Sequence, residues 1–389
     1  MGQRSNMKWL SVAVTATLLT ACLEPQSAPD LPTRALSAFQ LETVVDGLER
    51  PWAAAILPEG GYLITGKMGK LWRVESGTTR EIENLPMEIG AFAGNRVAEA
   101  GQGGLLDVAL APNFATSGQI YLSYSYGDWD ANGTALLRAY LDGDRIVSSE
   151  TIFRASPAKE AGSHFGGKIL FLPDGTLLLS LGDGFSLREE AQKPASHLGS
   201  IVRLTRDGGT PTDNPNFGDT AKPQLFSIGH RNVQGLALDP VTGVIWEHEH
   251  GPRGGDELNR LQAGANYGWP IATYGRDYQG ARISPIEEDA RFTGPVHHWT
   301  PSIAPSGLAI YRGELFADWN GHALIGGLAS GDLRRVDPET GEEVILLSDA
   351  KTEVDAFRIR DVDVDLDGAV LLLIEDGANG RLIRMTPGG

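Results

Sequence analysis

The sequence predicts an all-β protein, a six-bladed β-propeller of four-stranded antiparallel blades. Three observations carry that expectation. First, short apolar runs repeatedly flank Asp-Gly or Gly-Gly turns, the signature of β-hairpins. ILPEGGYLITG turns at Glu59-Gly60-Gly61 and ILFLPDGTLLLSLGD at Pro173-Asp174-Gly175; LALDPVTGVIWEHE turns between Asp239 and Gly243, and VDVDLDGAVLLLIED at Asp367-Gly368. Second, such turns recur near residues 60, 112, 174, 241, 338 and 367, often fifty to seventy residues apart. A hairpin repeat of that length suits propeller blades, and the chain after residue 38 has room for about six of roughly sixty residues. The period is imperfect, with a long gap before 338 and a short one after it. Third, helical periodicity is weak throughout; Leu187 to Ala195 reads as a short helix or a loop.

The elements follow in order. Residues 1–22 have the form of an export signal: Arg4 and Lys8, an apolar run from Trp9 to Leu19, then small residues. That run is too short for a comfortable membrane span. It ends in Leu19-Thr20-Ala21-Cys22, which resembles a bacterial lipobox, and Cys22 is the only cysteine in the chain. The expectation is lipidation of Cys22 and an outer-membrane anchor on the periplasmic side of the envelope. Residues 23–37, rich in Pro, Ser and Ala, read as a flexible tether. Residues 38–389 form the propeller, whose loops can bring distant residues to one pocket at a channel end.

Composition narrows the function classes. The chain of 389 residues is 41% apolar, which suits a globular body, and its formal net charge is −17. A face that binds nucleic acid must be basic, so nucleic acid is an unsuitable partner.

Four stretches carry candidate chemistry. In GSHFGGKILFLPDG, His164 sits in a glycine-rich loop before a strand. It reads as a general base near neutrality or as a polar strand cap. In SIGHRNVQGLALDP, His230, Arg231, Asn232 and Gln234 crowd into five positions. They suit a flat, oxygen-rich ligand or a set of loop ties. In EHGPRGGDELNRLQAGANYGWP, Asp256 and Glu257 are hard oxygen donors among five glycines, a pattern that suits calcium. In FRIRDVDVDLDG, Arg358 and Arg360 share one face of an extended segment and would hold carboxylates, or pair with nearby acids. Two motifs are set aside. DVDVDLDGAVLLLIE places Ile374 where a calcium loop needs its bidentate acid, so it reads as a strand entering a turn. His248 and His250 lack zinc-protease spacing, although two histidines at that interval could share a metal on a strand face.

Together these stretches resemble the soluble quinoprotein sugar dehydrogenases that use pyrroloquinoline quinone (PQQ), and within them the bacterial aldose sugar dehydrogenase branch. ERPWAAAILPEGG, GQGGLLDVALAPNF, GSHFGGKILFLPDG, HLGSIVRLTRDG, GHRNVQGLALDP, EHGPRGGDELN, NYGWP, PSIAPSGLAIY and RIRDV occur in the family's order. The resemblance implies a six-bladed propeller with PQQ and Ca2+ at the channel mouth. His164 matches the base that takes the proton of the sugar's anomeric hydroxyl, and Arg231 the arginine beside the quinone. Gln102, Asn232 and Gln234 match cofactor contacts; Arg358 and Arg360 match the pair that binds the PQQ carboxylates. The carbonyls of Gly251 and Pro252 match the ligands of the catalytic calcium, and Asp256, Glu257 and Tyr267 a second, structural calcium site. The implied reaction oxidises an aldose to a lactone, with electrons passed to an acceptor in the envelope that the sequence does not specify.

Two departures stand out. No lysine occurs near Ala329, where the glucose-oxidising branch has one for PQQ, and Ser163 replaces an acid before the catalytic histidine. Two other functions share the fold expectation. A calcium-dependent lactonase-type hydrolase would leave Arg358 and Arg360 without a task. A non-catalytic binding module would follow from decay of the PQQ site.

Overall fold

The computed structural model describes residues 39–90, 92, 94–348 and 358–388. The export signal, the tether and the lipidated cysteine expected at Cys22 lie outside the described residues. Twenty-four strands form six four-stranded antiparallel sheets. In chain order the blades are β2–β5 (Pro51–Ile56, Tyr62–Gly66, Lys70–Glu75, Thr78–Glu81), β6–β9 (Leu105–Leu110, Gln119–Gly127, Asn132–Asp142, Arg145–Arg154) and β10–β13 (Ile169–Phe171, Leu177–Leu181, Ser200–Leu204, Leu225–Ile228). Then come β14–β17 (Val233–Leu238, Ile245–Glu249, Asp256–Leu261, His297–Trp299) and β18–β21 (Pro305–Ile310, Ala323–Gly327, Asp332–Val336, Glu343–Ser348). The sixth blade joins β22–β24 (Ile359–Val364, Val370–Ile374, Gly380–Pro387) to β1 (Phe39–Leu48), which pairs with β24 from Phe39 opposite Pro387. The first strand thus closes the ring, leaving no open edge between the chain's two ends.

The middle strands are covered on one face by the preceding blade and on the other by the following one, so they are apolar without alternation. Every residue of β11 (LLLSL) and β23 (VLLLI) is buried. Leu63 and Leu71 of the first blade pack with Leu122 and Leu137 of the second. Each such leucine contributes about 1.5–3 kcal/mol of burial. The outermost strand β5 (TTRE) is short, charged and exposed throughout, which discourages edge pairing with another chain.

The imperfect turn period has a structural cause. The signals near 60, 112, 174, 241 and 367 all join the first and second strands of a blade. The signal near 338 joins the third and fourth strands of the fifth blade. That blade's first turn is a long connection from Tyr311 to His322, containing a 3-10 turn at Ala317–Trp319. The stretch after Leu187 is also a 3-10 helix, Arg188–Gln192.

Innermost strands β2, β6, β10, β14, β18 and β22 contact their neighbours in a closed ring around a channel. Each begins at one end of it. Arg50, Gln102, His164, Arg231, Ala304 and Arg358 all lie in segments entering an innermost strand. The fold therefore gathers residues more than 300 positions apart at one mouth.

Candidate active site

The mouth holds a cavity of about 300 Å³ whose lining includes Trp52, Gln102, Asn232, Gln234, His250 and Leu328. Four cationic side chains border it, Arg50, Lys67, Arg358 and Arg360, against one carboxylate, Glu375. Burial, with the charge of Arg50 beside it, lowers the Lys67 ammonium to about 8. Burial also lowers the Arg360 guanidinium from its ordinary value. Four cations against one carboxylate around a partly buried cavity favour an anion. Arg360 donates to Gln234 Oε1 (3.2 Å) and lies 4.6 Å from the Trp52 ring centre. Arg358 reaches the Leu328 carbonyl (3.0 Å) and faces Glu375 at 3.7 Å.

His164 is only 4% exposed and adopts φ +55°, a left-handed conformation uncommon for a non-glycine residue. Its backbone N–H donates to Gln102 Oε1 (2.8 Å), and its ring Nδ1 lies 2.6 Å from Asp183 Oδ1. Asp183 also accepts from Trp269 Nε1 (2.8 Å) and the Phe185 amide (2.8 Å). Burial pushes the Asp183 carboxyl up, but its bond to His164 and the charges of His164 and Arg231 outweigh that and lower it. It is thus a carboxylate that fixes the Nδ1–H tautomer and leaves Nε2 as the basic nitrogen. Burial, then the Arg231 charge, lowers the His164 imidazole against the opposing pull of Asp183. The imidazole is therefore neutral at pH 7. Exposed Phe185 packs edge-on to the His164 ring at 5.2 Å and lies 6.1 Å from Tyr278.

Arg231 is anchored at both ends. Its amide donates to the Glu249 carboxylate. Its Nη1 donates to the carbonyls of His250 and Gly251 (both 2.8 Å), and Nη2 lies 3.3 Å from the Tyr278 hydroxyl. Asn232 Oδ1 accepts from the Gly166 amide (3.1 Å), and Gln234 Nε2 reaches the Gly166 carbonyl (3.3 Å). The two amides hold the loop that carries His164.

Gly251 has a steric reason to be glycine: a Cβ there would lie 2.3 Å from the Gly254 carbonyl oxygen. Its carbonyl is shared with Arg231, and among the described residues no hydrogen bond reaches the Pro252 carbonyl. Both carbonyls retain lone pairs for a hard cation, so the pair fits the calcium site expected there.

The second expected ion site looks different from its sequence reading. Asp256 accepts from Gly251 N (2.8 Å), Ile303 N (2.7 Å), Ala304 N (2.9 Å) and Ser302 Oγ (2.7 Å). Its oxygens are committed to strapping two loops together, which leaves little capacity for a metal. The Tyr267 phenol accepts from Gln262 N (2.9 Å) and donates to the Arg260 carbonyl (2.8 Å), so only its backbone oxygen is available as a ligand. Glu257 lines two cavities with Tyr267, of about 570 and 10 Å³, and among the described residues one of its oxygens makes no hydrogen bond. His248 and His250 turn their Nε2 atoms to the carbonyls of Gly307 (3.0 Å) and Pro305 (2.9 Å) rather than toward a common point.

Sequence reasoning singled out His164, Arg231, Gln102, Asn232, Gln234, Arg358 and Arg360, and the structure brings them to one mouth. It gave no role to Arg50, Trp52, Lys67, Asp183 or Trp269. Arg50 and Lys67 enter from other connections than the RIRDV stretch, and no local motif marks them. They supply positive charge at a mouth that lacks a lysine near Ala329.

The glucose/sorbosone dehydrogenase family matches residues 48–384. The chain belongs to this family. It is 38% identical to the aldose sugar dehydrogenase YliI of Escherichia coli over 361 residues, covering 90% of this chain and 94% of that one. The crystal structure of the soluble E. coli aldose sugar dehydrogenase in its apo form superposes with a TM-score of 0.81 at 36% identity, covering 90% and 99%. The PQQ-bound aldose sugar dehydrogenase of Streptomyces coelicolor gives 0.71 at 26% identity, covering 92% and 99%. The family members that this chain resembles thus oxidise sugars on the same six-bladed frame.

Proposed function

We propose that the chain is a PQQ- and calcium-dependent dehydrogenase that oxidises aldoses at the anomeric carbon to lactones. The observation that carries this reading is the buried His164–Asp183 pair at the edge of a cation-bordered cavity. PQQ is flat and carries three carboxylates, and Arg50, Lys67, Arg358 and Arg360 would hold them over the Trp52 ring. Bound there, PQQ would supply a two-electron acceptor that calcium on the Gly251 and Pro252 carbonyls polarises.

The chain's own residues do the rest. His164 Nε2 takes the proton of the anomeric hydroxyl while the C1–H bond breaks with its electron pair leaving as hydride. The C1–O bond then becomes the lactone carbonyl. Asp183 stabilises the imidazolium that forms. Arg231, fixed by Glu249 and two carbonyls, presents positive charge where negative charge develops. Phe185 and Tyr278 offer exposed aromatic faces beside the base for the apolar side of a sugar ring.

The hydrolase reading fits less well. In the channel below the mouth, the carboxylates of Asp107 and Asp361 are paired with the Lys168 ammonium (3.3 and 3.0 Å). A cation built into the chain holds the place where a lactonase-type ion would need those acids. A decayed binding module would have no reason to keep His164 in a left-handed conformation against Asp183. The reading also includes export, lipidation at Cys22 and an electron acceptor on the periplasmic side of the envelope. Mass spectrometry of the mature N-terminus tests the anchor: diacylglycerol on Cys22 supports it, and a free thiol contradicts it.

The activity test uses the full chain with calcium, PQQ, a panel of aldoses and an artificial dye. Turnover that needs both additions and collapses in His164→Ala supports the reading. Unchanged turnover in that variant, or turnover without PQQ, contradicts it.

A further inference from the structure

Behind the mouth, the fourth blade carries a row of buried acids, of which the proposed oxidation uses only Glu249, as the anchor of the Arg231 amide. Glu247 and Glu249 alternate along β15 and so point to one face. Across the ladder, Glu247 pairs with Asn259 and Glu249 with Glu257. His230, from the segment entering β14, closes over this row. Its Nδ1 lies 3.3 Å from Glu249 Oε1 and 3.6 Å from Glu247 Oε1. One ligand atom from each of His230, Glu247 and Glu249 lies within 4.8 Å of the others, and all three residues are buried.

Glu247 is the decisive residue. It is 0% exposed, and among the described residues neither carboxylate oxygen has a hydrogen-bond partner. The Asn259 amide nitrogen goes to Glu257 (3.3 Å) instead. A buried carboxylate without donors is a costly arrangement unless a proton or a cation neutralises it. The other charges nearby deepen the imbalance: Glu249 and Glu257 are acids, and His230 is the only basic side chain paired with Glu247 among the described residues. His230 is itself held in register. Its Nε2 lies 2.8 Å from Ser227 Oγ, and its ring stacks on Tyr267 at 4.6 Å. A proton on Nδ1 would serve Glu249 and still leave Glu247 without a donor, whereas a shared cation engages both carboxylates.

We propose that His230, Glu247 and Glu249 bind a divalent metal ion of the zinc or manganese class in a closed structural site. One imidazole nitrogen with two carboxylates suits those ions, whereas calcium takes shells of six to eight oxygens. Glu257, next along the row, can contribute a further oxygen. The site shares no residue with the Gly251–Pro252 pair, and its effect on the mouth is indirect. Glu249 holds the Arg231 amide through its other oxygen. A metal that fixes Glu249 therefore fixes the turn from which Arg231 enters the mouth.

The test measures metal content, not sugar oxidation, so it stands or falls separately from the dehydrogenase reading. The full chain is dialysed against micromolar zinc or manganese in millimolar calcium, and bound metal is counted by plasma mass spectrometry. The wild type is expected to retain one equivalent of the transition metal per chain and to melt at a higher temperature with it. Glu247→Leu, which fills the space without a ligand, and Glu247→Gln are each expected to bind at least about 10-fold more weakly, the loss that even an outer-shell partner causes. Neither should gain melting temperature from the metal. A wild type that retains no transition metal overturns the proposal and makes Glu247 a buried, protonated acid. Variants that retain as much metal as the wild type overturn it as well. The wild-type count decides the question even where a variant fails to fold.

Discussion

Asp183→Asn is the sharpest perturbation of the proposed chemistry. The carboxylate accepts from His164 Nδ1 (2.6 Å), Trp269 Nε1 (2.8 Å) and the Phe185 amide (2.8 Å). An amide can accept from some of these donors but carries no charge, and it must turn its own N–H groups toward one of them. A hydrogen bond to a charged group is worth about 1.5–3 kcal/mol. The imidazolium formed at His164 is almost fully buried, so little solvent replaces the lost charge. A loss of about 2–4 kcal/mol in the transition state corresponds to roughly 30- to 1000-fold in kcat. The pH profile makes the test specific. His164 works as a base only when neutral, so activity rises with pH through its pKa. Burial and Arg231 already lower that pKa, and Asp183 opposes them. Without the carboxylate it falls further, and the acid limb of kcat/KM moves to lower pH while the plateau drops. Dye-linked rates between pH 4 and pH 8 measure both. An unchanged plateau, or a limb that moves to higher pH, would refute the assignment of Asp183 as the residue that orients and charges the base.

Arg360→Ala should weaken PQQ binding by about 10- to 150-fold, the equivalent of one charge-assisted hydrogen bond, and leave kcat at saturating PQQ nearly unchanged. A fall in kcat alone would contradict a cofactor-binding role. Lys168→Met removes the cation between Asp107 and Asp361 and should cost about 3–5 kcal/mol of stability in denaturant titration. Burial and Asp361 already raise the Asp107 carboxyl to about 6, so that loss should shrink under mildly acidic conditions, where the proton replaces the lysine. Acid stability follows two other pairs. Despite burial, Arg312 and Thr242 bring Asp239 down from 3.8 to about 2, and His297 and Arg334 bring Glu343 down from 4.5 to about 2. Both contributions are complete above the unfolded values and fade as pH falls toward 2. Melting temperatures should therefore drop between pH 4.5 and pH 2, and Arg312→Met should flatten that drop; equal slopes would contradict it.

The fold was legible because hairpin chemistry is local. An Asp-Gly turn between apolar runs reports its own geometry, and five of six signals marked the first turn of a blade. The sixth misled because the fifth blade replaces that turn with the long connection from Tyr311 to His322, while Asp337 to Gly341 imitates it in the third turn. Those first turns lie at the channel end away from the site. The mouth is built from the opposite connections, where sequence shows residue types but not their directions. His164 and Arg231 were recognisable by their neighbours in GSHFGG and GHRNVQG. Arg50 and Lys67 were not, because their role depends only on which blades meet across the mouth. Asp256 shows the converse limit: an acid among glycines reads as a metal ligand, yet four donors from two loops converge on it. Glu247 carried no signal at all, because a strand acid looks solvated until the next blade covers it.

The central claim is that this mouth binds PQQ with calcium. Titrating PQQ into the purified full chain, with and without calcium, and following the quinone absorbance tests it most directly. The account predicts saturation at one PQQ per chain with micromolar or tighter affinity, dependent on calcium and weakened in Arg360→Ala. No saturable binding at micromolar PQQ in the presence of calcium would contradict it.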